Sequence, residues 1–174
     1  MSLRLKQDNL EEAGKLKKEV ADTYLPVEAR NIRFLKDKRH KSSLTCLVVH
    51  GQHLYTASKD AGLLKWDLST GEKLAKVAGG KRKDLNGGAV ERHCTAVNAL
   101  AVTTDGKYLA SGDDSKLIHV WDADDLSLVK TFRGHRDAVS GLAFRKKTHT
   151  LYSCSHDRSV KIWSLDEMAY VETL

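Results

Sequence analysis

The sequence predicts an all-β protein assembled from repeated four-stranded sheets, and three observations carry that expectation. Three segments end alike: Lys59-Asp-Ala-Gly-Leu-Leu-Lys-Trp66-Asp67, Asp114-Ser-Lys-Leu-Ile-His-Val-Trp121-Asp122 and His156-Asp-Arg-Ser-Val-Lys-Ile-Trp163-Ser164. Upstream of each stands a histidine followed by the same apolar spacing: His40 before Leu44 and Leu47, His93 before Val97 and Leu100, His135 before Val139 and Leu142. The period is fixed, with 42 residues separating both His93 from His135 and Trp121 from Trp163. Self-similarity at such a period marks stacked supersecondary units rather than one irregular domain.

The elements follow in chain order. Residues 1–27 read as an N-terminal helical extension. Leu3, Leu10, Ala13, Val20 and Tyr24 share a face, Glu11/Lys15 and Lys15/Glu19 stand at i,i+4 spacing, and Pro26 ends the pattern. The remainder, 28–174, reads as repeat structure. Asn31-Ile-Arg-Phe-Leu35 matches Leu128-Val-Lys-Thr-Phe132 and is expected as a strand, 31–35, that completes a sheet formed elsewhere. Units follow at about 40–78, 93–132 and 135–174. In the third, Val139–Phe144, Thr150–Ser155, Ser159–Trp163 and Ala169–Thr173 alternate apolar with polar residues and are bounded by turn residues. Four short strands in about 40–45 residues is the period of a WD-repeat β-propeller blade. The first interval, His40 to His93, is 53 residues, so an 11-residue excess falls in the basic, glycine-flanked stretch 79–92.

A blade of this kind gives its motif residues a physical task. A histidine, a second-strand Ser or Thr, a turn Asp and the third-strand Trp hydrogen-bond in series, because half-buried polar groups must find partners. The first unit offers His40, Thr56, Asp60 and Trp66, and the third His135, Ser153, Asp157 and Trp163. The second offers His93, Ser111 and Trp121, but Ser115 stands where the aspartate belongs. That network is expected to lack its carboxylate unless Asp113 or Asp114 substitutes. All these residues are read as scaffold.

Composition narrows the function. Lys and Arg number 29 against 23 Asp and Glu, a formal charge of +6, which favours an acidic partner such as nucleic acid or an acidic protein face. No apolar run approaches the ~18 residues of a membrane span. Three cysteines at low density predict reduced thiols. Cys46 and Cys154 fall within expected strands, where a free thiol acts as a small hydrophobe. Cys94 has no second cysteine at zinc-site spacing. His50, His53 and His149 are expected in exposed loops. No G-x-S-x-G, Walker or H-E-x-x-H motif occurs, so neither an enzyme nor a cofactor, metal or small-molecule substrate is expected.

The candidate binding residues are cations gathered on one rim. Connections from a fourth strand to the next first strand, and second-to-third strand turns, share an end of the sheets. They carry Lys81, Arg82, Lys83, Arg92, Lys116, Arg136 and Arg158, besides Arg39 and Lys59. Arg136 has an alternative role in pairing with Asp137. The opposite rim holds Arg145, Lys146, Lys147 and His149. No aromatic residues interleave the cations, which favours phosphate contacts over base stacking.

Longer strings carry a family resemblance. Gly134-His-Arg-Asp-Ala-Val-Ser-Gly-Leu-Ala-Phe-Arg145, Ser155-His-Asp-Arg-Ser-Val-Lys161, Tyr170-Val-Glu-Thr-Leu174 and Asp105-Gly-Lys-Tyr-Leu-Ala-Ser-Gly-Asp113 resemble the WD-repeat proteins of the U3 small nucleolar ribonucleoprotein. The resemblance implies about three blades of an expected seven, and hence a truncated N-terminal part of a ring. It implies a non-catalytic RNA–protein scaffold that binds U3 small nucleolar RNA. Its partners would be a small RNA-binding core protein of box C/D particles and other small-subunit processome proteins. The work would be pre-ribosomal RNA processing in the nucleolus of the nucleus, away from any membrane. The alternative is a WD-repeat peptide-binding adaptor of another assembly, such as a ubiquitin ligase.

Overall fold

Alternation of apolar and polar residues in short runs, punctuated by turns, produces twelve strands and three separate antiparallel sheets among the described residues. The computed structural model describes residues 34–35, 42–81 and 92–174. The extension 1–27, most of the expected strand 31–35, and His40 lie outside the described residues. Blade 1 contains β1 (Leu44–His50), β2 (His53–Ser58), β3 (Leu63–Asp67) and β4 (Lys73–Val77). Blade 2 contains β5 (Val97–Val102), β6 (Tyr108–Asp113), β7 (Leu117–Asp122) and β8 (Leu128–Arg133). Blade 3 contains β9 (Val139–Phe144), β10 (Thr150–Ser155), β11 (Val160–Ser164) and β12 (Ala169–Thr173). Strand order within each sheet follows chain order, so each blade is a meander. Among the described residues there is no helix.

The repeat extends to the irregularities. Register shifts near the start of the first strand, between Leu44 and Cys46 and between Val97 and Ala99, recur where Val139 and Gly141 pair with Ser155 and Cys154. A second shift falls just before the tryptophan in every blade, at Lys65/Trp66, Val120/Trp121 and Ile162/Trp163. Such bulges raise the local twist, and their recurrence gives the three sheets a common shape that can stack.

The core lies between blades. The face formed by Tyr55, Ala57 and Leu63, with Cys46 and Val48, receives Val97, Leu100 and Val102 of blade 2. One step on, the face formed by Ala110, Ile118 and Val120 receives Val139, Leu142 and Phe144 of blade 3. Gly112 permits the second contact, since a Cβ there would stand 2.5 Å from Val139 Cγ1. Phe132 of β8 stacks on Trp163 of the next blade at 4.9 Å between ring centroids. Blade 2 is apolar on both faces and packs against a neighbour on each side, as stacked repeats do.

Two expectations require correction. Cys154 is in β10 as expected, but it is exposed, because no other described strand packs on its face of blade 3. His50 and His53 end and begin strands rather than occupying an exposed loop, and His149 is half-buried in the β9–β10 turn. Both outer histidines of this group hold blades together. His50 Nε2 lies 3.0 Å from the Thr104 carbonyl oxygen, and His149 Nε2 lies 2.9 Å from Asp105 Oδ2.

Candidate functional site

The hydrogen-bond series anticipated from the motif residues is complete in blade 3. His135 Nδ1 lies 2.9 Å from Asp157 Oδ2 and Nε2 lies 2.8 Å from Ser153 Oγ, while Trp163 Nε1 donates to the same Oγ at 2.8 Å. A carboxylate only accepts, so Nδ1 carries a hydrogen. Burial opposes the charged form of Asp157. Bonds from Ser159, the Arg136 amide and His135 outweigh it and hold the carboxyl well below its usual range. In blade 1 Trp66 Nε1 donates to Thr56 Oγ1 at 3.0 Å, and Ser58 bonds to Asp60.

Blade 2 corrects the expectation drawn from Ser115. Its series is complete, and Asp113 supplies the carboxylate. His93 Nδ1 lies 2.8 Å from Asp113 Oδ2, His93 Nε2 lies 2.5 Å from Ser111 Oγ, and Trp121 Nε1 donates to Ser111 Oγ at 2.7 Å. Ser115 Oγ donates to Asp113 Oδ2 at 2.7 Å, and the Leu117 amide donates to Oδ1 at 3.1 Å. Blades 1 and 3 read Ser58-Lys-Asp60 and Ser155-His-Asp157, whereas blade 2 reads Asp113-Asp-Ser115. The two residue types have exchanged places, and the turn brings either carboxylate to the histidine. Desolvation pushes Asp113 up, but the bonds and charge of His93, with Ser115 and Leu117, leave its carboxyl below the usual range. The exchanged order was the signal in the sequence that identifies Asp113.

His119 has no counterpart in the motif. It stands edge-on to His93 at 4.3 Å between centroids, and its Nδ1 lies 2.8 Å from Thr131 Oγ1. Its Nε2 is buried without a hydrogen-bond partner among the described residues. Desolvation and the neighbouring His93 push its pKa down to about 3, so it is uncharged at neutral pH. His93, Asp113 and His119 each offer a metal-ligating atom within 4.8 Å of the others. Both ring nitrogens of His93 are already engaged, so metal ligation there would break the series that holds the blade.

The binding candidates collect as the antiparallel order dictates. Each second-to-third strand turn is tied to the segment entering its blade: Lys59 N to Ser43 O, Asp114 N to Ala96 O, and His156 N to Ala138 O. The Arg136 amide donates to Asp157 Oδ2 at 2.8 Å, and the Ser115 amide to Thr95 Oγ1 at 3.1 Å. Lys116 and Arg158 therefore share a rim with Arg92 and Arg136, and all four side chains are exposed. Lys116 and Arg158 occupy the same turn position in consecutive blades, at φ 71° and 67°. Left-handed backbone is uncommon outside glycine, yet both blades place a long cation there. Arg136 forms no ion pair with Asp137, whose Oδ1 accepts from the Ala138 amide instead. Arg92 borders a groove of about 500 Å³ with Lys76, Val77 and Leu128. Lys81 is exposed, and Arg82 and Lys83 lie outside the described residues. On the opposite rim Arg145, Lys146 and Lys147 are also exposed.

Four-stranded meanders with a buried His/Asp/Ser/Trp series, stacked face to face, define WD-repeat propeller blades. The family model "WD domain, G-beta repeat" matches residues 88–122 and 126–164. The chain is 47% identical over 152 residues to the human U3 small nucleolar RNA-interacting protein 2, an alignment covering 86% of this chain and 31% of that protein. It is 31% identical over 135 residues to ribosomal RNA-processing protein 9 of Saccharomyces cerevisiae, covering 69% of this chain and 23% of that one. The solved structure described as "Structure of U3-55K" superposes with a TM-score of 0.76 at 48% identity, covering 84% of this chain and 43% of that chain. The chain carries WD repeats and is similar, over most of its own length, to the U3 small nucleolar RNA-interacting proteins. It spans less than a third of the length of these two curated relatives.

Proposed function

We propose that the chain contributes propeller blades to a non-catalytic RNA–protein scaffold that binds U3 small nucleolar RNA. The scaffold would act in nucleolar pre-ribosomal RNA processing for the small ribosomal subunit. The observation that carries this reading is 47% identity to a protein whose name states an interaction with that RNA. Conserving a blade scaffold requires far less, since any apolar set of the right pattern stacks. The exposed cations Arg92, Lys116, Arg136 and Arg158 support it chemically, for none of them has an ion pair with a described residue to compete with phosphate. A core RNA-binding protein of box C/D particles and other processome proteins would be the protein partners.

The test titrates labelled U3 RNA against the protein at several salt concentrations. Counterion release makes log K fall with log salt by about 0.7 per phosphate contact on single-stranded RNA. Replacing Lys116, Arg136 and Arg158 together by Ala should weaken binding and flatten that slope by about two units. Replacing Arg145, Lys146 and Lys147 should do much less. Greater sensitivity of the 145–147 set would move the interface to the other rim. Indifference to both sets, with RNA retained only through a partner protein, would leave the adaptor reading.

A further inference from the structure

The two interfaces between neighbouring blades differ in how the tryptophan is covered. Phe132 of β8 stacks on Trp163 of blade 3, with ring centroids 4.9 Å apart and planes inclined at 19°. Register identifies its counterpart in blade 1: Phe132 pairs with Ile118 as Val77 pairs with Leu63. Val77 packs in the cluster that holds Trp121, and so stands where a phenyl ring stands one blade on. The residue two places further repeats the difference. A Cβ at Gly134 would lie 3.1 Å from Trp163 Cη2, so that backbone also lies against the indole. A Cβ at Gly79 would instead meet Asp60 and Ala61 of its own blade. Trp163 is thus covered from β8 by a ring and a backbone, and Trp121 from β4 by the smaller Val77.

The smaller cover leaves the groove of about 500 Å³ between β4 and β8. Its volume lies within the ~300–1,000 Å³ of sites that hold ligand-sized groups. The floor is apolar, formed by buried Trp121 and Leu126 and half-buried Val77 and Leu128. Lys76 and Arg92 line it from exposed positions. Neither side chain has an ion pair with a described residue, and no described carboxylate lines the groove.

We propose that this groove docks an acidic peptide segment of a partner protein. One aromatic side chain of the peptide sits between Val77 and Leu128 over Trp121, and its flanking carboxylates meet Lys76 and Arg92. The aromatic class follows from Phe132, the residue this chain itself places at the equivalent position. The acidic character follows from two unneutralised cations beside an otherwise apolar floor. Burial of the ring supplies most of the affinity, since exposed ion pairs contribute little. A nucleobase would bring polar edges that the apolar floor leaves unsatisfied, which favours a peptide over RNA here. The docking goes beyond the proposed RNA role, whose test rests on Lys116, Arg136 and Arg158.

The probe is a fluorescein-labelled peptide, Glu-Glu-Ser-Phe-Ser-Glu-Glu, titrated with the full chain and read by fluorescence anisotropy. Binding should saturate with a Kd of about 100 µM or tighter. Replacing the peptide's phenylalanine by alanine should weaken it about tenfold or more, the loss expected of an unburied ring. Val77→Phe closes the groove with the residue used one blade on and should abolish binding while the circular dichroism spectrum is unchanged. Should Val77→Phe misfold, Lys76→Glu with Arg92→Glu, both at exposed positions, should weaken the peptide about threefold or more. That variant should also bind a version with lysine for glutamate better than the wild-type chain does. Absence of saturation by about 500 µM protein would overturn the inference, as would indifference to the phenylalanine, to Val77→Phe in a folded chain, or to the charge reversal. Binding that appears only after residues 82–91 are replaced by glycine and serine would make that segment the occupant. Displacement of the peptide by U3 RNA from a chain carrying Lys116→Ala, Arg136→Ala and Arg158→Ala would make the groove a nucleic-acid site. Either result overturns docking of an acidic peptide.

Discussion

Asp113 is the residue whose role the fold changes most, and its replacement is the sharpest test. As a turn residue outside the motif, Asp113→Ala would cost within about 0.5 kcal/mol. The structure demands more. The side chain is fully buried and accepts from His93 Nδ1, Ser115 Oγ and the Leu117 amide. Alanine leaves these donors without an acceptor in a site water does not reach, so the cost should be about 3–5 kcal/mol. Ser115→Ala removes one bond to a charged acceptor and should cost about 1.5 kcal/mol. The exchange Asp113→Ser with Ser115→Asp rewrites blade 2 in the order of blade 3. It should recover at least about 1.5 kcal/mol relative to the sum of the single changes. Urea unfolding followed by tryptophan fluorescence measures all four proteins. An Asp113→Ala cost below about 1 kcal/mol, or a double variant no better than the sum, would refute the assignment.

The buried carboxylates also set an acid limit. Asp113 and Asp157 are held below the usual carboxylate range, so their contribution is present above the unfolded value of about 3.9 and fades as pH falls through the folded values. Urea midpoints should therefore drop below about pH 4, less steeply in Asp157→Asn. His149 behaves in the opposite sense, since bonds to Asp105 and Asp166 raise its pKa. Its stabilisation is full below about 6.5 and declines as pH rises through the folded value; His149→Gln should remove that decline, and a His149 proton resonance titrating at or below about 6.5 would contradict it. Gly112→Ala should cost about 1–3 kcal/mol by driving a methyl into Val139, whereas Gly51→Ala, with nothing within 4 Å and only a left-handed φ of 55° to resist it, should cost about 1 kcal/mol, both read as shifts in the urea midpoint.

The sequence by itself determined the blades. Period-2 alternation fixes which strand residues face a neighbour, and the spacing of His, Ser and Trp fixes the register of each meander, so Val139–Phe144 and Thr150–Ser155 are legible without coordinates. Antiparallel order also sends second-to-third strand turns and blade entries to the same end, which is where Arg92, Lys116, Arg136 and Arg158 lie. Three things waited for the tertiary structure. Asp113 rather than Ser115 meets His93, because a tight turn lets side chains two residues apart reach one imidazole, and one-dimensional alignment scores only one of those positions. Cys154 proved exposed and His149 joined to two carboxylates, because both depend on which blade faces they meet and not on their own strands. Leu44, Leu47 and Val49 are exposed, yet they carry the same apolar pattern as Val97, Leu100 and Val102, which pack between blades. Pattern records that a face requires burial, and only packing decides which surface meets it.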